Sequence, residues 1–122
     1  MTMSNCTTHG VFFGLGSGFN AEQAFYSNFI GYQAGYSASD SYSANFIGSE
    51  AGSYALNAPG AVFIGDSAGA STEYTNDSVF IGTSAGYYSK NTVWSNFIGL
   101  AAGRNANYAA ESNFIGDSAG WY

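Results

Sequence analysis

The sequence predicts an all-β protein, a parallel β-solenoid built from seven 17-residue coils. Phe29-Ile30-Gly31 recurs as Phe46-Ile47-Gly48, Phe63-Ile64-Gly65, Phe80-Ile81-Gly82, Phe97-Ile98-Gly99 and Phe114-Ile115-Gly116, each 17 residues after the last, behind a degenerate opening copy, Phe12-Phe13-Gly14. A small residue and a second glycine follow each copy in phase: Ser17-Gly18, Ala34-Gly35, Ala51-Gly52, Ala68-Gly69, Ala85-Gly86, Ala102-Gly103 and Ala119-Gly120. The unit is also too short for two packed helices, which take about 30 residues or more. Two fixed glycines would penalise a helix by about 1 kcal/mol each. A strand-and-turn circuit of this length closes one coil; at about 4.8 Å per coil, seven make a rod of roughly 30–35 Å.

The elements follow in order if position 1 is the residue before each Phe. Positions 1–3 are a short strand between turn formers. Position 1 is Val11, Asn28, Asn45, Val62, Val79, Asn96 and Asn113. Asn there either stacks along the axis, each amide satisfying the next, or marks an exposed edge of the turn. Gly at position 4 follows the strand, where the chain must bend, and glycine tolerates positive φ and close backbone approach. Gly at position 8 completes a second bend around a small inward residue at position 7. Positions 9–16 vary freely, from Tyr36-Ser37-Ala38 onward to Arg104-Asn105-Ala106 onward, and read as a second, more exposed strand with a return loop.

Phe and Ile are adjacent, and neighbours on a strand point to opposite faces. Unless a corner turns both inward, one ladder lines the lumen and the other is an outward apolar strip. That strip is larger than a monomer normally leaves bare, and burying each side chain is worth on the order of 1.5–3 kcal/mol. The sequence therefore predicts self-association along the rod. Met1–Gly10 reads as an N-terminal leader or cap, and 11–122 as the repeat domain. The last coil stops without a polar cap, which reads as a fragment of a longer chain, since solenoids need capped ends.

Bulk composition narrows the function. Hydrophobic residues make up 46% and charged residues 8%, too apolar for a disordered chain, while no window approaches about 18 consecutive apolar residues. Eight acids against Lys90 and Arg104 leave a formal net charge of −6, which disfavours nucleic acid and anionic membranes. One cysteine, Cys6, gives no internal disulfide framework. The opening residues lack the basic and apolar regions of a signal peptide.

Candidate chemistry is sparse. His9 and Cys6 are too few for a metal site, and a nucleophilic triad would have to recruit His9 from the leader. Gly14, Gly16 and Gly18 resemble a phosphate-cradling loop, but two of them belong to the repeat. Asp66 and Asp117 share a position three coils apart, about 14 Å, too far for paired carboxylates of about 5–10 Å separation. The sequence predicts no enzyme, metal or cofactor. The best ligand contacts are the aromatics at positions 9 and 10, Phe19, Tyr36, Tyr54, Tyr87, Tyr88, Trp121 and Tyr122, which suit sugar or protein surfaces or else form a cross-strand stabilising ladder.

The unit N-F-I-G-x-x-A-G resembles repeats of phage tail-fibre and bacterial surface proteins, often found before an endosialidase-type intramolecular chaperone domain. It is similar, more loosely, to the A-I-G-x-x-A coils of trimeric autotransporter adhesin heads, whose coils are shorter. The resemblance spans residues 11–122 and implies a homotrimeric β-helical fibre segment on a virion or cell surface. No chaperone domain is present in this chain. A structural fibre or stalk module is thus the expected function. A glycan-binding module is the alternative, and an ice-binding solenoid is third, although Thr72, Thr75, Thr83 and Thr92 do not share one column.

Overall fold

The computed structural model describes residues 9–121. It is a parallel β-solenoid with seven strands, β1 (Val11–Phe13), β2 (Asn28–Ile30), β3 (Asn45–Ile47), β4 (Val62–Ile64), β5 (Val79–Ile81), β6 (Asn96–Ile98) and β7 (Asn113–Ile115). They form one sheet in sequence order. Every pairing is parallel and in register, so Phe46 lies against Phe63 and Ile47 against Ile64. The predicted leader falls outside the described residues except for His9 and Gly10.

Phe faces in. Phe29, Phe46, Phe63, Phe80 and Phe97 are fully buried, with successive rings stacked 4.6–4.9 Å apart between Phe29 and Phe114. That spacing is the inter-strand distance itself, so sheet pairing and ring stacking reinforce each other. The rest of the lumen is lined by small side chains at positions 7, 11, 14 and 17, among them Ala51, Ala55, Ala58 and Ala61, all buried. A lumen holding one Phe per coil has no room for a second large side chain, and Ile goes outward. The alternative in which a corner turns both residues inward does not occur.

Positions 9–16 differ from expectation. They form no second strand; parallel pairing there is limited to single bridges at position 12, such as Ser39 to Leu56 and Leu56 to Glu73. Positions 4–11 are instead three overlapping turns. Ala34 N–H donates to Gly31 O at 3.3 Å, Tyr36 N–H to Gln33 O at 3.1 Å, and Ala38 N–H to Gly35 O at 3.1 Å. The third residue of each turn has positive φ, as in Gln33 (52°), Gly35 (65°) and Ser37 (52°), the φ signature of a type II turn. Positions 13 and 16 repeat it, as in Asp40 (51°) and Ser43 (56°). A non-glycine residue in this region costs about 1 kcal/mol or more.

Bonds between coils hold the bends in place. Gly65 N–H donates to Ile47 O at 2.8 Å in the coil before, and Gly69 N–H to Ala85 O at 2.8 Å in the coil after. The backbone bonds up and down around the whole circuit, so its polar groups are satisfied without a long strand.

Candidate functional site

With the core filled by Phe and Ala, function falls to the outer surface, where two regions stand out. The first is the outward face of the sheet, positions 1 and 3. Phe13, Ile30, Ile47, Ile64, Ile81, Ile98 and Ile115 run along it in one row. Ile30, Ile47 and Ile98 are 36–37% exposed, whereas Ile64 and Ile81, beside Val62 and Val79, are half-buried. Position 1 runs alongside. Asn28 Nδ2 donates to Asn45 Oδ1 at 2.7 Å, and Asn96 Nδ2 to Asn113 Oδ1 at 2.7 Å. Val62 and Val79 interrupt the amide row. Neither row carries a charge in a chain of net charge −6; the acids sit at positions 5, 6, 12, 13 and 16.

The second region is the aromatic set at positions 9 and 10, which the structure splits in two. Phe19 stacks on Tyr36 at 5.4 Å, and Tyr36 meets Tyr54 at 5.6 Å. Ser53 and Ala70 then break the row. Beyond them Tyr87 meets Tyr88 edge-on at 4.4 Å, and Arg104 lies between two rings, 5.3 Å from the Tyr87 centroid and 5.3 Å from that of Trp121. Residue types did not reveal Arg104 as part of this group; its place in the same column as Tyr87 and Trp121, one coil from each, was the available signal. Burial, and then Tyr88 beside it, raises the Tyr87 phenol above its ordinary value. Tyr54, Tyr88 and Trp121 are about half exposed; Tyr36 is half-buried. Tyr122 lies outside the described residues.

The remaining candidates are not brought together. His9 stacks on Tyr26 at 5.2 Å, and Cys6 lies outside the described residues. Gly14 and Gly18 occupy the two glycine columns. Among the described residues no group of three or more metal-ligating side chains converges. Thr72, Thr75 and Thr92 are buried in the lumen, which leaves Thr83 alone of the four at the surface and no outward Thr array among the described residues.

Compared with protein-family models, with curated proteins and with solved structures, the chain finds no match.

Proposed function

We propose that this chain is a structural rod module, a fibre or stalk segment of a surface or tail-fibre protein outside the cell, in which copies associate as a homotrimer along the outward strand face and do no catalysis. The observation that carries the reading is the uncharged apolar row, Phe13 and then six Ile, running through every coil. Its repeat is the strand spacing, so the surface that matches it tooth for tooth is another solenoid of the same period. An acidic chain meets its own copy with least repulsion along a neutral face.

Magnitude sets a condition. Seven coils and three residues of strand make a face of roughly 300 Å², against about 800 Å² per partner in a stable interface. The flanking row at position 5, where Leu15, Tyr32 and Leu100 are exposed, must therefore be drawn in, with Asp66 and Asp117 of the same row left at the solvated rim. A threefold arrangement does this, because each copy then touches two neighbours with the two sides of one ridge.

Analytical ultracentrifugation tests the reading. The chain is expected to sediment as a trimer, and Ile64→Asp with Ile81→Asp as a monomer with unchanged β circular dichroism. A monomeric parent chain, or a double variant that still assembles, overturns it.

A further inference from the structure

The Arg104 stack lies six positions further round the coil from the Ile row, so its use does not depend on assembly. The chain has two cations, Lys90 and Arg104. Lys90 pairs with Glu73 at 3.2 Å. Arg104 pairs with no carboxylate among the described residues, and its Nε is enclosed without a hydrogen-bond partner. Rings in the coils on either side confine the guanidinium, and the N–H groups of its outer end fit a carboxylate in a two-point fashion.

We propose that Arg104, held between Tyr87 and Trp121 and flanked by Tyr88, is a recognition site for a saccharide bearing a carboxylate. The guanidinium takes the carboxylate, and the exposed Tyr88 ring takes the apolar face of the sugar ring. Tyr54, two coils below Tyr88 and about 10 Å away at the strand spacing, extends the platform along the rod and favours an oligosaccharide over a single ring. The net charge of −6 sets a limit: a dense polyanion is repelled, whereas one acidic sugar is met locally by Arg104.

Isothermal titration calorimetry with the full chain tests this. The probes are a glucuronate-containing oligosaccharide, a neutral glucose oligosaccharide of equal length, acetate and polyglutamate. The acidic sugar is expected to bind about tenfold or more tighter than the neutral one, as one two-point charge-assisted contact allows. Arg104→Gln should abolish that preference, Arg104→Lys should keep part of it, and Tyr88→Ala should weaken both sugars, with circular dichroism confirming that each variant folds. Equal binding of the two sugars, a preference that survives Arg104→Gln, or acetate or polyglutamate binding as tightly as the acidic sugar would each overturn the proposal. Should Arg104→Gln fail to fold, Arg104→Lys with the neutral and acidic sugars decides the point by itself.

Discussion

At Gly65 the backbone turns with a φ of 134°, and the carbonyl carbon of Gly82 in the next coil stands 2.7 Å from where a Cβ would lie. Gly65→Ala therefore meets a strained dihedral and backbone that cannot give way. Gly116 has the same φ region, 128°, and open space where its Cβ would go. Thermal melts should show Gly116→Ala losing about 1–3 kcal/mol, the conformational cost alone, and Gly65→Ala losing more than that or failing to fold. These glycines were legible in the sequence because nothing with a Cβ substitutes for them. The other bends were not: Gln33, Glu50, Tyr54 and Trp94 also take positive φ, and nothing in their chemistry asks for it. Hydrogen bonds to the coils on either side impose that conformation, and no single residue carries the signal. The direction of Phe over Ile was likewise undecided by alternation, and the width of the lumen decided it.

Within one coil, the half after the glycines was misread as a strand because its buried positions, 11, 14 and 17, fall every third residue instead of every second. Small side chains there mark corners of a tube. Position 17 also ties coils together. Ser78 Oγ donates to Thr92 O at 2.6 Å and accepts from Ser95 N–H at 3.1 Å, and Ser27 does the same with Ser41 O at 2.7 Å and Ala44 N–H at 3.0 Å. Ser78→Ala leaves a buried donor and acceptor unpaired and should cost about 2 kcal/mol in urea unfolding. Position 14 behaves the other way. Thr75 and Thr92 bury hydroxyls with no hydrogen-bond partner where Ala24 and Ala58 serve other coils, and the Phe63 and Phe80 rings in these two coils stand 4.9 Å apart against 4.6 Å for the next pair. Removing an unpaired buried group relieves its desolvation penalty. Thr75→Ala with Thr92→Ala should accordingly raise the unfolding midpoint.

Across the whole molecule, the fold was legible because a strict repeat shows itself at every level, from residue column to strand register. The surfaces were less so. The aromatic columns looked continuous, but Ser53 and Ala70 divide them, and Arg104 joins the second group only because stacking brings positions one coil apart into contact. The assembly and the sugar site make separable demands: Ile64→Asp with Ile81→Asp should change the sedimentation coefficient and leave the preference for acidic sugar intact. One further property follows from the coil-to-coil bonds, which lie along the axis of the rod. Tension between the two ends loads them one coil at a time, as a zipper is opened, and does not shear them together. Each released coil would yield about 55 Å of extended chain in place of the roughly 4.8 Å it occupied, so a single copy lengthens greatly under a small pull. A side-by-side bundle would share that load among neighbouring strands.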